Sequence, residues 1–298
     1  MVMTASAILR ARDIPTKPAA NLSFKGEPTM SYQTLQVELR DHIAHVRLNR
    51  PDKANAMNEA FWHEFRDAMT WVDETPSARV AIISGEGKHF TAGIDLAMLM
   101  GLEPDASACA GRERETLRRN ILRLQETFTA IERCRVPVLA AIHGACIGGG
   151  VDLITACDMR YASSDARFSI KEIDVGMTAD VGTLQRLPRL IPEGVARELA
   201  YTGREFDATE ASELGLVNRV YPDREALLAG VKEIAAQIAA KSPLSIRGTK
   251  EMLLHTRDHS VAEGLERIAT WNAAMIVSDD IREALTATLE NRPPEFND

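Results

Sequence analysis

Two carboxylates stand in a stretch of small and apolar residues, "KEIDVGMTADVG", which contains Glu172 and Asp180. Apolar surroundings make a carboxylate harder to ionise and raise its pKa. Such an acid suits a site that takes and returns a proton near neutral pH. The plain alternative is a solvated loop, in which Glu172 pairs with Lys171 or Arg167 and Asp180 caps a helix that begins near 181.

Two glycine-rich turns offer main-chain donors for a negative oxygen. "HFTAGIDL" (89–96) and "IHGACIGGGVDL" (142–153) each follow an apolar run that reads as a buried strand. A helix is expected to begin at 151, and its free N–H groups and positive dipole end would stabilise an anion. The alternatives are a plain strand-to-helix turn and, for Asp152, a first-turn residue that the helix dipole favours. The sequence contains neither G-x-x-x-x-G-K-[ST] nor G-x-G-x-x-G, so nucleotide binding by such loops is not supported.

The elements that must position these groups alternate along the chain. The residues 42–50 alternate in polarity, and 80–85 and 136–144 are nearly continuous apolar runs, so all three predict strands. The helical spacing of 59–74 places four apolar residues on one side: Phe61, Phe65, Met69 and Val72. This order predicts an α/β domain. Amphipathic segments such as 224–240 and 260–276 predict a helical C-terminal region that covers the core or binds a neighbouring subunit.

Composition excludes several classes of function. The net charge of -8 argues against general binding to nucleic acids or to anionic membranes. The longest weakly polar run, 136–151, is shorter than the ~20 apolar residues of a spanning helix. No metal site is expected, because His42 and His45 fall on opposite faces of a strand and the four cysteines show no C-x-x-C spacing. Those cysteines indicate a reducing compartment.

An arginine-rich segment, 111–126, predicts an amphipathic helix with a solvated basic face. Its apolar positions, expected to face inward, are Leu117, Ile121 and Leu124. A phosphate contact or a role in RNA binding is the alternative use of these arginines.

Five segments together resemble the crotonase (enoyl-CoA hydratase/isomerase) superfamily over 33–291. They are "LNRPDKANAM" (48–57), "FTAGIDL" (90–96), "HGACIGGGVDL" (143–153), "DMRYAS" (158–163) and "GTLQRLPRLI" (182–191). The resemblance implies a spiral of ββα units with a C-terminal α-helical trimerisation region, and a homo-oligomer that is a trimer or a dimer of trimers. We expect three parts: a flexible N-terminal tail (1–32), a catalytic core (33–225) and a helical oligomerisation region (226–298).

The resemblance also implies how an acyl-CoA substrate is held, with no other cofactor. The main-chain N–H groups of Ile94 and Gly149 match the pair that binds the thioester oxygen. Lys250 falls near a position that can approach the CoA phosphates. The residues that match the CoA-binding and substrate-binding segments are Lys53, Ala54, Ala56, Ala92, Gly93, Asp95, Leu96 and Gly150.

The acids match one branch of the family, the Δ3,5-Δ2,4-dienoyl-CoA isomerases. Asp152, Glu172 and Asp180 correspond to the three acids of that branch, in which a proton moves from C2 to C6 of a 3,5-dienoyl-CoA. By this resemblance Glu172 would abstract the C2 proton, Asp180 would protonate C6, and Asp152 would orient and tune the pair.

Two other functions remain open at this point. An enoyl-CoA hydratase carries two glutamates around one water, whereas this chain has Val151 and Asp152 after the triple glycine. A non-catalytic acyl-CoA-binding or RNA-binding member of the family is the second alternative. The chain ends in "EFND" rather than a peroxisomal S-K-L, so we expect a bacterial cytoplasm, with the mitochondrial matrix as the alternative.

Overall fold

The computed structural model of the protein describes residues 29–100 and 109–298. Its strands are β1 (Thr29–Ser31), β2 (Leu35–Arg40), β3 (Ile43–Leu48), β4 (Val80–Gly85), β5 (Val138–Ile142), β6 (Ala145–Ile147), β7 (Met159–Ser163), β8 (Arg167–Ser169), β9 (Phe206–Asp207) and β10 (Arg219–Tyr221). Its α-helices are α1 (Glu59–Glu74), α2 (Leu96–Met100), α3 (Ala110–Arg133), α4 (Gly149–Ala156), α5 (Thr183–Arg186), α6 (Glu193–Thr202), α7 (Ala208–Glu213), α8 (Arg224–Ala239), α9 (Pro243–Arg257), α10 (Val261–Met275) and α11 (Asp279–Glu290).

The larger sheet has the strand order β1-β2-β3-β4-β5-β7-β10. The first three strands pair antiparallel, and β3, β4, β5, β7 and β10 pair in parallel. A smaller sheet, β6-β8-β9, lies beside it and begins directly after β5. Because parallel strands end at the same edge, the turns that follow β4 and β5 meet there.

Helices cover both faces of the larger sheet. One face packs with α1 and α3, and the other packs with α8 through Leu227, Val231 and Ala235. The helix α1 occupies the predicted range 59–74, capped by the side chain of Asn58, and its four predicted inward residues are buried. The predicted strands are confirmed as β3, β4 and β5. The α/β class followed by helices is therefore confirmed.

The helix α8 packs against the sheet and contributes to the core, whereas the C-terminal helices α9, α10 and α11 expose large apolar side chains. The expected boundary at 225 and 226 lies in the first turn of α8. Beyond it, several large apolar side chains are exposed: Leu253, Val261, Leu265, Ile276, Val277, Leu285 and Leu289. No helix of the described residues has both the length and the apolarity that crossing a membrane requires.

Three expectations need correction. The helix after the triple glycine begins at Gly149 rather than at 151, because Gly148, with φ of 52°, already makes the turn. Leu117 is 45% exposed, since α3 is buried only from its C-terminal half onward. Lys250 is not free to reach a phosphate. It is buried and donates to the Asp158 carboxylate at 2.7 Å.

Candidate active site

The two glycine turns touch one another at the start of α4. A Cβ on Gly149 would lie 3.1 Å from the Met57 sulfur and 3.9 Å from the main-chain nitrogen of Ile94. A Cβ on Gly93, whose φ is +87°, would lie 2.6 Å from the Ile147 carbonyl oxygen and 3.4 Å from the Gly149 nitrogen. Only glycine permits this approach. The turns therefore bring the two predicted donors, Ile94 and Gly149, side by side.

The loop before α1 holds the first turn in place. Met57 donates its N–H to the Gly93 carbonyl at 2.8 Å, and Asp95 donates its N–H to the Met57 carbonyl at 3.0 Å. These bonds use the groups on either side of Ile94. In the part of the chain that the structure describes, the N–H groups of Ile94 and Gly149 have no protein acceptor. Two main-chain donors are thus left for a ligand oxygen.

Buried polar contacts give this loop its shape. Ala54 and Asn55 both have left-handed backbone, with φ of 49° and 54°. The buried Asn55 amide donates to the carbonyls of Glu86 and His89, each at 2.9 Å. Arg50 reaches across to the Asp95 carboxylate at 3.2 Å. These ties hold together the loop and the turn.

The predicted CoA-binding residues lie in the loop before α1 and along the first glycine turn, except Gly150, which is buried in α4. Lys53 and Leu96 are exposed, and Asp95 is half-buried beside Arg50. Gly150 points into the core, where a Cβ would lie 2.6 Å from Thr91 Cγ2. The remaining predicted positions line the same loop and turn: Ala54, Ala56, Ala92 and Gly93.

Asp152 is fully buried in the first turn of α4. Its Oδ1 accepts the main-chain N–H of Thr183 at 2.6 Å. Its Oδ2 has no hydrogen-bond partner among the described residues. Burial raises the pKa of Asp152 to about 6, and the charge of Asp180 acts in the same direction. The carboxyl is held in place yet remains difficult to ionise.

Glu172 lies in a short 3-10 turn (Lys171–Val175), and its carboxyl faces the start of α4. A Cβ on Gly148 would lie 3.2 Å from the Glu172 Oε1. Burial raises the pKa of Glu172 to about 7, and the charge of Asp152 adds to this rise. Lys171 pairs instead with Asp174, at 2.7 Å. The alternative in which Glu172 is a surface partner of Lys171 is therefore wrong.

Asp180 lies on the next loop, and burial raises its pKa as well. The following helix, α5, begins at Thr183 with Gly182 at its N-cap. Asp180 is therefore no helix cap, and this alternative is wrong. Its charge raises the pKa of both Asp152 and Glu172. The three acids form one electrostatic group, called the acid cluster below.

No cation in the described ranges forms an ion pair with any member of the acid cluster. A carboxyl whose pKa is raised toward neutrality, as those of Asp152 and Glu172 are, is suited to exchanging a proton. Nor do the described residues contain three His, Cys, Asp or Glu side chains placed to hold a metal ion. The arrangement is suited to moving a proton next to a polarised carbonyl.

Sequence reasoning missed three contacts of the site. Thr183 fixes Asp152, Met57 lies against Gly149, and the Gln125 side chain donates to the Asp180 carbonyl at 2.7 Å. Two of these contacts use the main chain at one end, so residue type gives no signal of them. Gln125 lay inside the arginine-rich helical pattern, where nothing distinguishes it from a solvated residue.

The fold and the site together suit an enzyme that would bind a carbonyl oxygen between two main-chain donors and move protons with carboxyl groups. A sequence profile described as "Enoyl-CoA hydratase/isomerase" matches residues 38–298. The chain belongs to this family, as its five motifs indicated, and the expected crotonase fold is confirmed.

Close relatives share nearly the whole chain. The "Delta(3,5)-Delta(2,4)-dienoyl-CoA isomerase, peroxisomal" of Arabidopsis thaliana is 49% identical over 89% of this chain and 98% of its own length. The mitochondrial protein of the same activity name from Homo sapiens is 48% identical over 92% of this chain and 84% of its own. A solved enoyl-CoA hydratase from Bacillus anthracis is 33% identical, with a TM-score of 0.81 over 89% of this chain and 99% of its own.

Proposed function

We propose that the protein is a Δ3,5-Δ2,4-dienoyl-CoA isomerase, which converts a 3,5-dienoyl-CoA into a 2,4-dienoyl-CoA. The observation that carries this proposal is the placement of two partly buried acids on successive segments of the chain, neither of them in an ion pair among the described residues. Glu172 lies at the paired donors of Ile94 and Gly149, and Asp180 lies further along. The names of the relatives at 48–49% identity support the same reaction.

The reaction begins at the thioester. Ile94 and Gly149 donate their N–H groups to its carbonyl oxygen while ionised Glu172 removes a proton from C2. The electron pair of the broken C–H bond spreads over the dienolate and onto the oxygen. One such preorganised donor is worth about 3–4 kcal/mol of transition-state stabilisation. The donors act where the charge develops, which lowers the barrier for removing an otherwise weakly acidic proton.

The reaction ends at the other terminus of the delocalised anion. Protonated Asp180 gives its proton to C6, a new C–H bond forms there, and the double bonds settle at C2 and C4. Burial raises the pKa of Asp180, which favours the protonated form that this step needs. Glu172 then gives up the proton it took and Asp180 regains one by exchange with water, which restores both acids. The net change in the substrate is one proton lost at C2 and one gained at C6, which requires no oxidant or reductant.

Asp152 tunes this pair rather than touching the reacting carbons. Thr183 fixes one of its oxygens, and its charge raises the pKa of Glu172. A base with a pKa of about 7 is ionised in half of the molecules at neutral pH, yet holds its proton well after abstraction. Asp152 is therefore proposed as the group that keeps Glu172 in this range.

The hydratase alternative is disfavoured by the pair Val151 and Asp152 that follows the triple glycine. Water addition in this family uses two glutamates that hold one water, and the first of them lies just after the triple glycine. This chain has no glutamate there, and Asp152 is fully buried with one oxygen bonded to the Thr183 N–H. Asp180 in turn has no role in hydration.

Turnover of a 3,5-dienoyl-CoA tests the proposal directly. We expect the 2,4-dienoyl chromophore to rise, and crotonyl-CoA to keep its enoyl-thioester absorbance. Loss of that absorbance without dienoyl turnover would identify a hydratase instead. Acyl-CoA binding without either reaction would identify a non-catalytic member, and filter binding of RNA across a salt series tests the nucleic-acid alternative.

Self-association and location complete the proposal. The exposed apolar side chains of α9 to α11 support a homo-oligomer, a trimer or a dimer of trimers, which light scattering would detect. The relatives' names place them in peroxisomes or mitochondria. A bacterial cytoplasm, with the mitochondrial matrix as the alternative, stays a prediction.

A further inference from the structure

One face of α3 is bonded to the loop that carries Asp180. Gln125, Thr129 and Glu132 follow one another at spacings of four and three, so they share this face. The Gln125 amide nitrogen donates to the Asp180 main-chain carbonyl at 2.7 Å. The Glu132 carboxylate pairs with Arg186, the last residue of α5, at 3.2 Å.

Arg186 holds the turn that links Asp180 to α5. Its guanidinium covers Gly182, where a Cβ would lie 1.8 Å from Nη1. The pair of Arg186 and Glu132 is largely buried, with side chains 13% and 15% exposed. An ion pair withdrawn from water is screened much less than a surface pair, so it restrains this turn. The same turn carries Thr183, whose N–H fixes Asp152.

The Asp180 carboxyl is restrained only by its own backbone. Among the described residues it bonds to its own main chain and to no other side chain, and Gln125 is the side chain that bonds to the Asp180 carbonyl. Where the carboxyl points therefore depends on where α3 holds its backbone. A displacement of about 1 Å in a reacting group can lower a rate by about 10²-fold.

We propose that Gln125 is a positioning residue that sets Asp180 at the far end of the dienolate, with the Arg186–Glu132 pair holding the adjoining turn. This inference rests on the proposed isomerase function. It separates the two halves of the reaction. Proton removal at C2 depends on Glu172, to which no side chain in the described part of α3 is hydrogen-bonded or ion-paired, whereas proton delivery at C6 depends on the hydrogen bond from Gln125.

The test uses Gln125→Met, which removes the amide while keeping the length of the side chain. The matched control is Glu126→Met on the next residue, whose carboxylate pairs only with the exposed Arg133 among the described residues. Each full-length protein is given a 3,5-dienoyl-CoA in D2O. Deuterium entering C2 of unreacted substrate reports the first half, and 2,4-dienoyl product reports the second.

We expect Gln125→Met to lower product formation roughly 10- to 100-fold while exchange at C2 continues, so that the ratio of exchange to product rises at least about tenfold. Gln125→Asn keeps the amide on a shorter side chain and should give an intermediate ratio, while Glu126→Met should match the wild type. A ratio that stays at the wild-type value, whether both rates fall or neither does, overturns the proposal. A wild type that makes no 2,4-dienoyl product defeats the proposed function instead.

Discussion

Two polar clusters of the molecule differ in how their charges are paired. The acid cluster contains Asp152, Glu172 and Asp180. The outer cluster, on the α8 face, contains Glu38, His45, Arg47, Ser84 and Glu86. In the outer cluster each carboxylate has a cation. Arg47 contacts Glu38 at 2.5 Å and Glu86 at 3.4 Å, and a hydrogen bond from Arg47 lowers the pKa of Glu38.

The outer cluster shows that residue types alone do not make a catalytic site. The His45 Nε2 lies 2.8 Å from the Ser84 hydroxyl, and its Nδ1 lies 3.8 Å from Glu38, which are the components of a Ser–His–acid triad. Burial, however, lowers the pKa of His45 to about 3, and Ser84 is only 1% exposed. A base this weak beside an inaccessible hydroxyl is a structural contact.

The acid cluster is the reverse case. Its carboxyls are withdrawn from water without cations, so their pKa values rise rather than fall. Paired charges stabilise a fold and stay ionised, whereas unpaired buried acids destabilise it and can exchange protons. The difference between the clusters lies in whether a cation pairs with each carboxylate and in how much water reaches it.

The largest expected effect comes from removing an acid. Asp180→Asn and Glu172→Gln should each lower isomerisation by about 10²- to 10⁴-fold, because each removes one proton transfer. Acyl-CoA binding should be largely kept, since the donors of Ile94 and Gly149 remain. Steady-state turnover and a binding titration measure both. The control is Asp174→Asn in the same turn as Glu172, whose carboxylate pairs with Lys171. Unchanged turnover in Asp180→Asn would refute its assigned role.

Obstructing the space between the donors should have the next largest effect. The added methyl of Gly149→Ala lies against Met57 and near the Ile94 nitrogen, so the thioester oxygen is displaced. We expect turnover to fall roughly tenfold to a hundredfold. Gly194→Ala is the control, because its Cβ would meet no atom within 4 Å. Equal activities in the two variants would contradict the donor pair.

Asp152→Asn should stabilise the fold while lowering the isomerase activity. The folded state raises the pKa of Asp152 from 3.8 to about 6, so folding binds its proton more tightly and stability falls as pH rises between these values. The amide keeps the acceptor for Thr183. Above pH 6 we expect a gain on the order of 2 kcal/mol in the free energy of unfolding, which shrinks toward pH 4. Denaturant titrations at pH 4 and pH 8 give the comparison. A gain that is the same at both pH values would argue against the buried charge.

Neutralising a carboxylate of the outer cluster should change the free energy of unfolding in the opposite direction from Asp152→Asn. We expect this effect to be the smallest of those predicted. The folded state lowers the pKa of Glu38, so its ionised form stabilises the fold above the unfolded pKa, and this contribution is lost as pH falls. Glu38→Gln should therefore destabilise by less than about 1 kcal/mol, because the carboxyl is partly exposed. Turnover should not change. Stabilisation by Glu38→Gln would remove the distinction between the two clusters.

The local pattern of apolar residues was sufficient to predict the main helices and strands. The helix α1 and the strand β4 have the predicted bounds, because apolar spacing and the residues at their ends act over short distances. The start of α4 was placed two residues late, since glycine disfavours helix and only contacts with Met57 and Thr91 show why Gly149 and Gly150 belong to it. Leu117 was expected inward because periodicity cannot show where a helix leaves the core.

The sequence by itself determined the order of strands and helices, the glycine turns and, through the family motifs, which acids to examine. Only the tertiary structure decided that Asp152 and Glu172 are buried against one another without a cation, and that Gln125 holds a residue 55 positions away. A pKa depends on which groups surround a carboxyl in space and how much water reaches it. Those quantities arise only when distant segments pack together.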